Sequence, residues 1–177
     1  MTRVCLVGAA DVDLRYELLS RETARDALAT YDLDAPYENT VAVSTVSLGA
    51  AVALCNDLDW YLTRFADAAL VHDPSVADEW LSRALAAAIR DGRIDPDATG
   101  DRLRIYGVAD GRLVDPMYVR RSDGRDATTR DEDDGGDDAG AGRVDDRNDG
   151  DDSVPAYDLQ EVEDTLVVRV TEPEFGA

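Results

Sequence analysis

Asp110-Gly111, set between two β-rich runs in "RLRIYGVADGRLVDPMYV" (residues 102–119), constrains this chain more than any other stretch. A two-residue hairpin connection needs positive φ at both central positions, and Asp-Gly supplies it, so the flanking runs must pair antiparallel. Alternation then places Leu103, Ile105, Val114 and Tyr118 on one face of the ribbon. Arg102, Arg104, Tyr106 and Met117 fall on the other. Pro116 lacks an amide donor, so the second strand belongs at a sheet edge or bulges there.

Around this ribbon the patterning alternates between the two periods. "TRVCLVG" (2–8) is an apolar run closed by glycine, "TVAVSTV" (40–46) has strong β character, and "DTLVVRV" (164–170) reads as one more strand after a short helical turn around Leu159 to Glu163. Residues 11–20 admit two readings. The alternation of Val12, Leu14, Tyr16 and Leu18 favours a strand, yet a short strand and an irregular helix both stay open, with Ser20 then capping a helix from about residue 21 to 31 that carries Ala24, Leu28 and Tyr31. Leu48, Ala51, Cys55, Leu58, Leu62 and Phe65 recur at spacings of three and four, the stripe of one amphipathic helix after Ser47. "DAALV" (67–71) extends that helix or forms a short strand, with strand preferred. Ser75 and Asp78 have capping-box spacing before a helix with Trp80, Leu81, Ala84, Leu85 and Ala88 on its apolar face, ended by Gly92.

These elements predict an α+β fold: a single domain with a mixed sheet of about five strands and helices packed on it. The domain is expected over 1–121 and 154–172, with a disordered acidic insert at 122–153 and a flexible tail at 173–177.

The insert is read from composition. Residues 122–154 hold 13 acids and 4 arginines, and Val144 is the one aliphatic side chain larger than alanine before Val154. Such a segment cannot bury enough apolar surface to offset its ordering entropy. A calcium loop starting at Asp131 fails the EF-hand pattern, because positions five and twelve are Gly135 and Gly142. Hydrated cations are expected to be held diffusely, with no specific metal site and no cofactor.

Charge carries further than the insert. The 177 residues include 39 acids against 18 bases, a formal net charge of −21, and every base is arginine. A surface so dense in carboxylate, without lysine, suits molar salt, where the Debye length of roughly 3 Å screens self-repulsion. No stretch of about 18 apolar residues offers a membrane span. "MTRVCLVG" lacks the regions of a secretory signal, so a cytoplasmic location is expected. Cys5 and Cys55 lie 50 positions apart without partners at ligand spacing, which excludes a paired-cysteine zinc motif and favours small core residues.

Candidate chemistry is sparse. Gly8-Ala9-Ala10-Asp11 follows a strand but lacks the glycine spacing of a dinucleotide fold, and a tight turn accounts for it. His72 beside Asp73 has the residue types of a base with its orienting carboxylate; a capping or surface histidine is the simpler account. In open α/β sheets ligands collect where strands give way to helices, and such junctions occur at Gly8, at Ser47 and Gly49, and at His72 and Ser75. The hairpin arginines and Tyr106 raise the option of nucleic acid, against which stands the charge of the whole chain.

"VCLVGAADVDLRYELLSRETARDALATYDL", "WYLTRF" and "EDTLVVRVTEPEFGA" together resemble a small uncharacterised protein family of haloarchaea. The resemblance implies a cytoplasmic, high-salt protein and lends no catalytic residue. The preferred expectation is a non-enzymatic interaction or regulatory module that offers an edge strand to a protein partner. The alternative is a small-molecule or nucleotide binder, or an enzyme, with its site at the strand-to-helix junctions.

Overall fold

The computed structural model describes residues 1–121 and 164–175. The expected insert and the helical turn around 159–163 lie outside the described residues. What is described is α+β with a mixed sheet, as the patterning predicts, but the sheet has seven strands in place of about five.

The strands are β1 (Thr2–Gly8), β2 (Thr40–Thr45), β3 (Ala66–His72), β4 (Trp80–Ser82), β5 (Arg102–Ala109), β6 (Arg112–Arg120) and β7 (Asp164–Arg169). They lie in the order β2-β1-β3-β4-β7-β5-β6. All neighbours are antiparallel except β4 and β7, which run parallel. The helices are α1 (Leu14–Leu19), α2 (Glu22–Leu28), α3 (Leu48–Asp57), α4 (Asp59–Phe65) and α5 (Arg83–Arg90).

Alternation along the strands divides the core in two. Val4 and Leu6 of β1, Val41 and Val43 of β2, and Val71 of β3 face the helices, where Leu14, Leu18, Leu28, Val52, Leu58 and Leu85 pack on them. Each such side chain, taken fully out of water, contributes about 1.5–3 kcal/mol before entropy is charged against it. Cys5, Val7, Ala42 and Leu70 point the other way and meet Tyr106, Leu166, Val168 and Val170. No helix covers this second face among the described residues. The sheet curls over it instead, so that Tyr106 on β5 packs against β1 although three strands separate them in the order. The curl closes at the hairpin tip: Glu38 N–H donates to Gly111 O at 2.8 Å and the Glu38 carboxylate pairs with Arg112 at 2.7 Å.

Several expectations need correction. Of the two readings of residues 11–20 the helical one holds over residues 14–19, because Asp13 caps the turn by accepting from Tyr16 N–H and the i, i+4 pair Leu14 and Leu18 is buried while Tyr16 is exposed. Ser20 does not cap α2; Arg21 stands at that position without a side-chain cap. The stripe from Leu48 is two helices broken at Leu58, yet Leu58 and Leu62 stay buried, so the burial pattern survives the break. Ser75 and Asp78 form no capping box. Residues 80–82 pair with β3 and β7 as a strand, and Ser82 caps α5 by accepting from Leu85 N–H at 3.2 Å.

The hairpin forms at Asp110 and Gly111, both at positive φ (52° and 72°), as its residues require. Its faces differ from the expectation in one respect. Ile105 stands opposite Met117 but Gly107 opposite Val114, so β6 carries one extra residue around Asp115 and Pro116. That bulge exchanges Met117 and Tyr118 between faces, putting Tyr118 opposite Arg104. β6 is an edge strand, as Pro116 implied.

The chain end is tied down through residue 175. Glu174 Oε2 accepts from Ser82 Oγ at 2.6 Å and from Thr171 N–H and Oγ1–H at 2.9 Å each, and Phe175 meets the Tyr118 ring edge-on. Within residues 173–175 of the expected tail, therefore, the chain makes specific contacts. Among the described residues no helix is long and apolar enough to cross a membrane.

Candidate functional site

Where β1 ends at Gly8, the chain turns left-handed at Asp11 (φ 64°) before Asp13 starts α1. Asn39, also left-handed (φ 56°), fastens this turn from the other side. Its amide donates to Ala9 O at 3.1 Å, its Oδ1 accepts from Leu14 N–H at 3.0 Å, and its carbonyl accepts from Gly8 N–H at 2.8 Å. The approach is so close that a Cβ on residue 8 would lie 2.4 Å from the Asn39 amide nitrogen, which is why glycine is needed there.

Across from this turn stands the β5–β6 hairpin, and between them is a cleft of about 670 Å³. The turn of residues 8–13, Glu38 and Asn39 form one wall, Asp67 at the start of β3 contributes a second part, and Tyr106 with residues 112–116 completes it. Five carboxylates line it, those of Asp11, Asp13, Glu38, Asp67 and Asp115, against one arginine, Arg112, which Glu38 already pairs. Asp13 is engaged as the α1 cap. Asp11, Asp67 and Asp115 have no ion-pair or hydrogen-bond partner for their carboxylates among the described residues. No group of three metal-binding side chains converges among the described residues.

Tyr106 sits deepest by burial, 4% exposed, and its hydroxyl has no hydrogen-bond partner among the described residues. Burial pushes its phenol above the ordinary value of 10.0, so it remains protonated across the neutral range. Arg104 lies over its ring, 5.4 Å from the centroid.

The sequence-predicted positions do not gather in one place. Gly8 belongs to the cleft. Ser47, Gly49, His72 and Ser75 lie at the opposite end of the sheet, since β1 pairs antiparallel with both β2 and β3, Thr2 facing Thr45 and Arg3 facing His72. Six residues of strand, about 20 Å, separate the two ends. Ser47 caps α3, accepting from Ala50 N–H at 3.1 Å, and Gly49 is in that helix's first turn. His72 Nε2 is 3.1 Å from Asp78 O and its ring stacks at a tilt on Trp80. Its neighbour Asp73 is committed elsewhere: Oδ2 accepts from Thr2 Oγ1–H at 2.9 Å and Oδ1 from Ser75 N–H and Oγ–H. The structure thus separates the His72 and Asp73 side chains into different networks. Burial pushes the Cys5 and Cys55 thiols up to about 11, so both are protonated core residues near neutrality.

Of the hairpin arginines, Arg104 and Arg120 make no ion pair among the described residues and lie over the rings of Tyr106 and Phe175, while the others are paired. Arg102 pairs with Asp101 at 3.1 Å and Glu172 at 3.8 Å, while Arg121 and Arg169 share Glu79. Tyr106 is inside the curl and presents no free face on which a base could stack.

Asn39, Arg112 and Asp115 are site residues that carry no functional reading in the sequence, and Tyr106, read there as a candidate stacking ring, and Asp67 join them in the cleft. One local signal pointed to Asn39: an asparagine just before a strand tolerates the left-handed conformation. The others are brought together only by the curl of the sheet.

Fold and site define an α+β protein with a curled mixed sheet and an acid-lined cleft at one end. The chain belongs to DUF5804, a family of unknown function, whose model matches residues 2–108. The match takes in the turn, Asn39, Asp67 and Tyr106 and ends before β6. No curated protein and no solved structure matches the chain.

Proposed function

We propose that this protein is a non-enzymatic interaction or regulatory module of a salt-accumulating haloarchaeal cytoplasm, and that it works by holding a small ligand in the cleft between the β1 turn and the hairpin. The observation that carries the reading is the cleft itself, whose walls come from sequence positions a hundred residues apart and are locked together at Glu38 by Gly111 and Arg112. A rigid concave site with an unbonded tyrosine hydroxyl on its wall is the form small-ligand sites take. Support for binding without chemistry comes from the side chains: both thiols are deep and protonated, and His72 holds no carboxylate. The high-salt setting is supported by the net charge of −21 and the absence of lysine.

A thermal-shift panel of metabolites and nucleotides in molar potassium chloride tests this reading. Ligands that raise the melting temperature should lose their effect in Ala10→Trp, which fills the cleft from an exposed position without removing a core side chain. A panel without any shift, or shifts that survive Ala10→Trp, would remove the cleft from consideration.

A second reading has one observation in its favour. β6 is a terminal strand of the sheet, so its outer amides are open to a partner strand among the described residues. Its bulge and Pro116 leave only short stretches able to pair, which places the cleft first.

A further inference from the structure

Resting on that reading, we infer that the cleft takes a linear organic cation with two or more protonated amines, a diamine or polyamine. Three features select this class over a metal ion, an anion or a neutral ligand.

The first is where the unpaired charge lies. Asp11, Asp67 and Asp115 come from the β1 turn, the start of β3 and the β6 bulge, and their carboxylates have no partner among the described residues. The single cation of the lining, Arg112, is held by Glu38 at 2.7 Å and does not neutralise them. A ligand entering here meets net negative potential from separated points, and in a partly enclosed cleft such interactions are screened less by salt than on an open surface.

The second is that these carboxylates do not converge. No group of three could hold a metal ion among the described residues, yet they share one cleft of about 670 Å³. Separated carboxylates match a ligand whose positive charges are themselves separated along a chain.

The third is independent of the acids. Tyr106 is 4% exposed, lines the cleft, and its hydroxyl is unbonded among the described residues. Its oxygen can accept an ammonium N–H, and apolar Val7 and Pro116 in the same lining offer contact to the methylene chain.

Carboxylates are abundant in this chain, so the test must separate the cleft from diffuse attraction. Calorimetric titration of the full chain in molar potassium chloride should use 1,4-diaminobutane and spermidine, with butylamine, 1,4-butanediol and magnesium chloride for comparison. The diamine should bind roughly tenfold more tightly than the monoamine, because its second contact is intramolecular. Asp67→Asn and Asp115→Asn should each weaken it about threefold, the scale of a part-exposed ion pair. Tyr106→Phe, checked for an unchanged far-ultraviolet spectrum, should weaken it about fivefold through the lost hydrogen bond. Asp26→Asn and Asp97→Asn remove the same charge outside the cleft and should change nothing.

Equal weakening by the cleft and remote substitutions would reduce the effect to counterion condensation and overturn the inference. So would equal affinity for diamine and monoamine, or displacement of the diamine by magnesium at equal concentration. If a neutral or anionic ligand binds, is blocked by Ala10→Trp, and amines do not bind, the ligand class is wrong and the cleft reading stands. If nothing in either panel binds, both fall together.

Discussion

The two ends of β1 are built from the same kinds of residue and do opposite things with them. At the Thr2 end, Thr2, Thr45 and Asp73 are buried, and each polar side chain is bonded: Thr45 Oγ1–H to Thr2 O at 3.3 Å, Thr2 Oγ1–H to Asp73, and Asp73 to Ser75. At the Gly8 end Asn39 is fully used, but three carboxylates and the hydroxyl of Tyr106 have no partner among the described residues. A polar group that folding has satisfied has little left to offer a ligand, whereas one it leaves unbonded is available. The contrast separates a closed, structural end from an open one, and it explains why four of the five sequence-predicted positions, all at the closed end, have architectural roles.

The strongest way to sharpen this contrast is to remove salt. At about 0.1 M the Debye length rises to roughly 10 Å, so the unpaired carboxylates of the open end begin to repel one another. The fold should loosen, with the melting temperature falling by roughly 10 °C or more from its value in molar salt, on the order of 3 kcal/mol for a chain of this size. Amide hydrogen exchange should accelerate first at residues 8–13 and 112–116 and last at residues 3–5 and 70–72. A melting temperature and spectrum indifferent to salt would contradict the high-salt reading. Uniform acceleration along the chain would erase the distinction between the two ends.

A smaller effect is expected from the residue that holds the open end in shape. Asn39→Ala loses the bonds to Leu14 N–H and Ala9 O and places a Cβ residue without a compensating side chain at φ 56°. In denaturant titrations in molar salt it should cost about 2–3 kcal/mol. Asn39→Gly keeps the backbone conformation and should cost about 1 kcal/mol less. Equal costs for the two would mean that the side-chain bonds, not the backbone, set the turn.

These residues also mark how far the sequence could be read. β1, β2, β7 and the hairpin were legible because each is decided locally, by an apolar run or by Asp110-Gly111, whose positive φ is a property of two residues, whereas "DAALV" of β3 fitted helix and strand alike. β4 was not legible. Trp80–Ser82 is three residues long, too short for any period, and is a strand only because Leu70 and Val71 on one side and Val168 and Arg169 on the other complete its pairing. The α1 segment stayed open because Leu14 and Leu18 fit both alternation and helical spacing, and the deciding residue was Asp13, whose cap acts through Tyr16 N–H. Of the cleft, only the turn from Gly8 to Asp11 was legible. Asp67 and Asp115 look like any of the 30 aspartates until the curl of the sheet brings β3 and β6 around one space.

The smallest effect belongs to the closed end and depends on pH. Burial by itself would raise the Asp73 carboxyl, but the Ser75 hydroxyl and amide, Thr2 and the chain's amino terminus more than offset it and hold the carboxyl below its ordinary value of 3.8. A carboxyl lowered by folding stabilises the native state above its unfolded value, and that stabilisation is lost as pH falls through the lower folded value. Asp73→Asn keeps the shape and one acceptor but removes the charge-assisted bonds, so near neutrality it should cost about 1–2 kcal/mol. The stability curves of the two proteins should then converge as pH drops below 3.8, because the wild type loses there what the variant never had. Parallel curves across that range would mean that Asp73 acts through packing alone. Preferential loss of the open end in acid, read by exchange at residues 8–13, would mean that the closed network supports the cleft from the far end of β1, and that the two ends are not independent.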